Sequence, residues 1–334
     1  MNSISLVEST STMKAVVSRH YGPPESLTVE SIPRPVPGPA EVLVRNHASV
    51  VTAAVVEARR GLPLARLYFG LTGPKWPVLG TNFSGVVEAV GDSVTRFAVG
   101  DRVVGVKVAG FGAHAQYLAV DQDAVIALAP TALSDSEAVA VFDGAITALP
   151  FLRDGARLAT GQSILINGAA GAIGSAAIQL AKHLGAHVTA VCSAGNRDTV
   201  RSLGADVAID YATEDFTRAR DRYDVVFDTV AKSSFLRSRR SLTRDGIYLT
   251  TVPSPVILAQ MAFTSRFRRR KAAILFTGLA KPEAMARDLV TIGDLAQRGI
   301  VVPVIGAVHA MEDAAEAHRL VQSGHKRGSA VLTF

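Results

Sequence analysis

The chain has 334 residues, 48% hydrophobic and 19% charged, with a formal net charge of +6. That length exceeds one ordinary core and predicts two domains. No stretch is both long enough and free enough of charge to span a bilayer, which argues against an integral membrane protein. The positive charge favours anionic ligands and by itself demands no nucleic acid. The single cysteine, Cys192, cannot form an internal disulfide, fits a reducing cytoplasm and excludes a multi-cysteine zinc site.

Residues 1–12, MNSISLVESTST, lack the basic start and apolar middle of a secretory signal. They read as a floppy leader before Met13, itself an alternative start. From Met13 to about Val125 short strands are broken by Pro and Gly: MKAVVSRH, SLTVESIP, VLVRNHASVV, Gly80–Val90 and Asp101–Val108. Period-two alternation with that punctuation predicts a curled, mostly antiparallel β unit. Between these strands, Val51–Pro77 is a long connection carrying Tyr68, Phe69 and Trp76, either an aromatic lid over an apolar ligand or a small satellite core.

Ser134-Asp135-Ser136-Glu137 is a helix-capping signal opening a helix that carries Thr147. Then comes SILINGAAGAIGSAAIQLAKHLGAHVTAVCS, Ser163 to Ser193, which reads as strand, glycine turn, helix and second strand. Its turn spells Gly168-Ala169-Ala170-Gly171 and its helix opens Ala172-Ile173-Gly174. In the dinucleotide fingerprint such small residues allow a tight turn, a close backbone approach to pyrophosphate, and close helix–strand packing. Alanine at the first fingerprint position departs from the pattern. An NAD site wants an acidic residue after the second strand, to bind the ribose 2′-hydroxyl. Here Cys192 is followed by Ser193, Asn196 and Arg197, with no carboxylate before Asp198. Hydroxyl, amide and guanidinium suit a 2′-phosphate, so NADPH is expected over NADH.

Strands and helices then alternate: helix Asn196–Leu203, strand Val207–Ile209, helix Glu214–Arg220, strand Asp224–Asp228, helix Ser233–Leu242, and strands Gly246–Val252 and Ala272–Phe276. A helix around Pro282–Arg298, a strand Val301–Ile305, a helix Met311–Ser323 and a strand Ala330–Phe334 close the chain. Such alternation predicts an α/β protein with a doubly wound parallel sheet. Its ligand belongs outside the strand carboxyl ends, near Gly168, Ser193, Thr229 and Val252. The run SRFRRRK, Ser265–Lys271, reads as a solvated cationic face, with nucleic-acid or acyl-carrier docking as the alternative.

Six motifs together resemble the medium-chain dehydrogenase/reductase superfamily, in its zinc-free, zeta-crystallin-like quinone oxidoreductase branch. They are LGTNFSGVVEAVGDSVTRFAVGDRVVG (79–105), DGAITAL (143–149), INGAAGAIGSAAIQLAKHLGAHVTAV (166–191), LGADVAIDY (203–211), YDVVFDTV (223–230) and SGHKRGSAVLTF (323–334). The resemblance implies a GroES-like catalytic domain over 1–127, rejoined by 299–334, a Rossmann NADP-binding domain over 128–298, and a homodimer. It implies pyrophosphate contacts from Ala169 to Gly174, 2′-phosphate contacts from Ser193, Asn196, Arg197 and Tyr211, and nicotinamide contacts from Thr147 and Val252. Zinc relatives carry Gly-His-Glu where this chain has Gly80-Thr81-Asn82, and a cysteine where Ala48–Ala54 has none. No metal is therefore expected. Positions where zinc-free relatives often place Asn and Asp hold Val51 and Ala54, and a glycine position holds Ala231.

Without a Lewis acid, a conjugated acceptor suits hydride transfer better than a simple ketone, because an enolate or hydroquinone spreads the charge. The expected activity is NADPH-dependent reduction of a quinone or α,β-unsaturated carbonyl, a small molecule. Tyr68 is the candidate phenolic proton donor and Asn82 the candidate for orienting the acceptor. The alternatives are an enoyl-thioester reductase, and a protein that binds NADPH and turns over nothing.

Overall fold

The computed structural model describes residues 11–62, 66–67, 69–107, 110–267 and 269–334. They fall into two compact units, one within 1–129, 308–323 and 331–334, the other within 130–307 and 324–330. Residues 299–307 and 324–330 therefore group with the second unit.

The first unit is β-rich. β1 (Thr12–Val17) pairs antiparallel with β2 (Thr28–Pro33) as a ribbon. The main sheet runs in the order β14 (Ile305–Ala310), β15 (Ser329–Thr333), β3 (Glu41–Val50), β4 (Asn82–Val90), β5 (Arg102–Val106) and β7 (Ile126–Leu128). β6 (Tyr117–Asp121) pairs with β3. From β15 through β7 the neighbours are antiparallel, as the alternation predicts. Their inward residues Val44, Phe83, Val87, Val103, Leu118 and Ile126 form the core. The long connection begins with α1 (Ala53–Arg60), capped by the Thr52 hydroxyl and stopped by Gly61 in the left-handed region. Phe69 and Trp76 pack on Phe111, with ring centroids 5.5 and 5.7 Å apart, beside Val55, Ala58 and Leu79. These two aromatics thus form the satellite core; Tyr68 lies outside the described residues.

The second unit holds a six-stranded parallel sheet. Its order is β10 (Val207–Asp210), β9 (His187–Cys192), β8 (Ser163–Asn167), β11 (Tyr223–Asp228), β12 (Leu242–Thr250) and β13 (Lys271–Ala273). This is the doubly wound arrangement, with the switch point between β8 and β11. Its helices are α2 (Asp135–Pro150), α3 (Ala172–His183), α4 (Arg197–Ser202), α5 (Phe235–Ser238), α6 (Pro255–Phe267) and α7 (Pro282–Gln297). α2 opens with the expected capping box between Ser134 and Glu137.

Four expectations change. The helix expected at Glu214–Arg220 is a single 3-10 turn at Phe216–Arg218, closed by the Asp215 carboxylate on Thr217 N. The one expected at Ser233–Leu242 shrinks to α5, because Ser241 O accepts from Arg222 N and Tyr223 N and so pulls the chain into β12 by Leu242. The strand expected at Val301–Ile305 starts only at Ile305. The Val302 backbone is held at both ends by the Gln179 side-chain amide, at 2.8 and 3.2 Å, instead of by a strand. α6 occupies a stretch that carried no helix signal.

α8 (Ala314–Gln322) returns to the β-rich unit and meets α1 through a fully buried Arg59. Its guanidinium donates to Gly22 O, to Gln322 Oε1 at 2.6 Å and to His318 Nδ1 at 3.2 Å. His318 meets His114 edge-on, with centroids 6.0 Å apart, and His114 Nε2 donates to Val50 O at 3.1 Å. Both rings are buried. Burial pushes His114 down to about 4. Burial, then His114 and Arg59, pushes His318 lower still. In the unfolded chain both imidazoles take up protons near about pH 6.5, whereas the folded chain holds them neutral. Stability is therefore full above that pH and falls as pH drops below it. Urea unfolding between about pH 7.5 and 5 is expected to approach a two-proton slope, about 2.7 kcal/mol per pH unit; a flat profile would reject a neutral buried pair.

Candidate dinucleotide site

The glycine turn joins β8 to α3 at the carboxyl end of the sheet. Gly168 takes φ +79, and a Cβ there would lie 2.5 Å from Val230 Cγ1. Gly174, in the first turn of α3, packs so closely on the turn that a Cβ would lie 2.3 Å from Gly168 O. Gly171 is the opposite case, since a Cβ there would meet nothing nearer than Gly168 O at 3.5 Å. Gly171 is the N-cap residue of α3 and has no side chain to cap it. The start of α3 therefore has open space at Gly171, beside the bridge that Gly171 makes with Gly328, and the helix dipole lies behind it. An open, small-residue cradle of this kind, with Ala169 fully buried beneath it, is compatible with a pyrophosphate.

α2 crosses the start of α3 at Gly144, where a Cβ would lie 2.0 Å from Ala172 O. Thr147, half-buried, lies one turn further along α2 on the same face. A brace absent from the sequence reading comes from the chain's end: Gly328 N donates to Ala170 O at 2.8 Å, and Ser329 Oγ donates to the Asp143 carboxylate at 2.7 Å. Only the short KRGS stretch, 326–329, hinted at a turn there.

Across the switch point, the buried Asp228 carboxylate ends β11. It accepts from Asn167 Nδ2 at 3.0 Å, Val230 N at 3.2 Å, Ser233 N at 2.8 Å and the Tyr248 hydroxyl at 3.0 Å. Burial, then Asp228, keeps the Tyr248 phenol protonated. Thr229 Oγ1 donates to Asn167 O at 2.9 Å, and Val252 follows β12, nearly half exposed. Thr229 and Val252 thus stand at the same end of the sheet as Gly168. Ala231, in the glycine position, takes φ 51, a left-handed conformation that strains an L-residue by about 1 kcal/mol.

The edge past β9 carries Ser193 and Asn196, whose Nδ2 donates to Ser193 Oγ at 3.0 Å. Arg197 opens α4 and is exposed, as is Tyr211 after β10. Sequence spacing alone did not bring in Asp210, which pairs with Cys192 across β9 and β10. Burial, then Asp210, raises the Cys192 thiol, so it is a poor nucleophile. All the expected dinucleotide residues thus gather at one end of one sheet or on the helices beside it.

Asn82 belongs to the other unit. It is buried at the start of β4, its Oδ1 accepts from the Thr81 hydroxyl at 2.7 Å, and its backbone carbonyl accepts from Ser49 Oγ at 2.6 Å. Among the described residues these bonds leave its Nδ2 donor without a partner, and it is the atom left to act on a ligand. Among the described residues, no three His, Cys, Asp or Glu side chains converge to hold a metal ion.

Comparison with known proteins adds three relations and two domain matches. Residues 38–130 match the alcohol dehydrogenase GroES-like domain and residues 203–332 the zinc-binding dehydrogenase domain. The chain is 30% identical over 331 residues to a quinone oxidoreductase of Pseudomonas aeruginosa, covering 93% of this chain and 97% of that one. It is also 30% identical over 330 residues to a mycocerosic acid synthase-like polyketide synthase of Mycobacterium tuberculosis, covering 94% of this chain. The match spans 15% of that synthase's length. The solved quinone oxidoreductase from Coxiella burnetii superposes with a TM-score of 0.84 at 27% identity, over 97% of this chain and 100% of that one.

Two glycine substitutions separate ligand space from packing space. Gly174→Ala is expected to destabilise the fold by about 1–3 kcal/mol, because its methyl meets backbone. Gly171→Ala has room, so thermal unfolding should stay within about 0.5 kcal/mol of the parent while dinucleotide affinity falls about tenfold or more. Unchanged affinity for Gly171→Ala, read by titration of NADPH fluorescence, would remove the cradle from the site.

Proposed function

Because the chain belongs to the medium-chain dehydrogenase/reductase superfamily, in its quinone oxidoreductase-like branch, we propose that it is an NADPH-dependent, zinc-independent reductase of quinones or α,β-unsaturated carbonyls. The observation that carries this reading is the uncapped start of α3 beside an edge holding Ser193, Asn196 and Arg197, without a carboxylate until Asp198. When bound, the nicotinamide supplies the hydride. The amides behind Gly171 hold the pyrophosphate; the Arg197 fork, the Ser193 hydroxyl and the Asn196 amide bind the 2′-phosphate, with Tyr211 beside them. Thr147 and Val252 orient the nicotinamide end.

Zinc independence rests on residue chemistry. Thr81 and Asn82 stand where zinc relatives carry His and Glu, and the only cysteine is buried at the end of β9. Asn82 Nδ2 is the proposed donor to the acceptor's carbonyl and Tyr68 the proposed proton donor. A conjugated acceptor asks little more of the protein than position and one hydrogen bond. β13 ends the sheet, with no further strand beside it among the described residues, which offers a route to a homodimer. The similarity to a polyketide synthase segment favours one second reading, an enoyl-thioester reductase working on the same cofactor.

Titration with NADPH and NADH, followed by a panel of acceptors, tests both readings. NADPH should bind about tenfold or more tighter than NADH, and Arg197→Ala should lose that preference while leaving NADH affinity within about twofold. Oxidation of NADPH by quinones or enones supports the proposal. Oxidation by enoyl thioesters alone moves the function to the second reading, and tight binding with no turnover makes the chain a binding protein.

A further inference from the structure

The parallel-sheet unit has a second concavity, at the opposite end of its strands from the glycine turn. It is a groove of about 750 Å³ between α5, α6 and the approaches to β12 and β13. Asp221 precedes β11, Arg244 lies in the entry to β12, and Arg269 and Arg270 precede β13, so the groove opens at the strands' amino ends. Dinucleotides bind outside the carboxyl ends. The groove is therefore separate from the cofactor site.

Its construction is two-sided. Ile257, Met261 and Thr264 turn one stripe of α6 into the core, with Thr264 Oγ1 accepting from Ala272 N at 3.0 Å. The stripe of Val256, Ala259 and Phe263 turns outward, with Val256 62% and Phe263 51% exposed. Leu236 of α5, 67% exposed, faces the same groove over a buried Phe235. Apolar side chains at such exposure in a concave site mark a ligand surface. The rim is cationic. Arg270 is bonded to Asp221 and Arg269 reaches Asp245 only at 3.9 Å. Arg239 and Arg244 are exposed and form no ion pair among the described residues.

We propose that this groove binds a single-chain amphiphilic anion, an alkyl or acyl chain ending in a phosphate or carboxylate. The chain lies on Leu236, Ala259 and Phe263, and Arg239 and Arg244 grip the head group with their planar forks. The volume suits one such molecule. A second copy of this chain is a poorer occupant, because a two-fold interface would set the arginine rim against itself. A flat bilayer leaves the concavity unfilled.

The test uses the full chain with NADPH bound and calorimetric titration by dodecyl phosphate below its micellar concentration. Binding of one molecule per chain is expected. Inorganic phosphate and dodecyl maltoside, head without chain and chain without charged head, should each bind about tenfold or more weakly. Phe263→Asp, and separately Arg239→Glu with Arg244→Glu, should each weaken dodecyl phosphate about tenfold while NADPH affinity stays within about twofold. Dodecanoate separates the head-group sources: binding within about tenfold of the phosphate supports a shared anion site. The proposal fails if the maltoside or inorganic phosphate binds equally well, if neither variant matters, or if NADPH competes. It fails equally if the chain binds only phosphatidylglycerol vesicles, or if Phe263→Asp merely splits a dimer in light scattering.

Discussion

Backbone lies directly on backbone at the start of α3, and the cofactor end of the parallel-sheet unit is arranged around that contact. At Gly174 the helix touches the turn beneath it, and at Gly144 a neighbouring helix touches Ala172, so neither place has room for a methyl group. Gly328 then closes on the third side through Ala170 O. A turn held this way has no freedom to fold back over its own amides. The space beside Gly171 stays open, and a helix start without a side-chain cap favours an anion.

The switch point needs a second device, because two strands with diverging connections would otherwise part where the ligand sits. Asp228 supplies it. Four donors from β8, β12 and the turn after β11 converge on one buried carboxylate, which meets the demand of a buried acceptor without an opposing cation. Rigidity at the crevice thus comes from hydrogen bonds, and the hydrophobic core lies below it, along Leu165, Val226 and Tyr248.

Much of this was readable in advance, for identifiable reasons. The fingerprint glycines, the Ser134–Glu137 box and the apolar strands β8, β9 and β11 depend on local chemistry, so their signals sit within a few residues. α6 escaped notice because PVILAQMAFTSRF is apolar on nearly every side, which leaves no helical period to detect. The strand expected from Val301 was lost to a side chain 123 residues away, Gln179. Arg59 and His318 lie 259 positions apart, so their contact has no local signature at all. Where a feature rests on local backbone chemistry, as at the glycine turn, a few neighbouring residues carry its signal. Where side chains are brought together from afar, as at Asp228 and the arginine groove, only the folded arrangement can show them.

β15 lies inside its sheet, hydrogen-bonded to β3 by Val331, Leu332 and Thr333. Order of synthesis therefore runs against order of assembly. The first strands of the β-rich unit are made before the parallel-sheet unit, yet their sheet lacks an interior member until residues 329–333 are made. Domains ordinarily fold in the order in which they emerge, and here the earliest one must wait. Through that interval the end of β3 from Ala48 to Val50, beyond the stretch that β6 covers, is an open edge, a template for unwanted strand pairing. A chain stopped before β15 leaves that edge permanently bare.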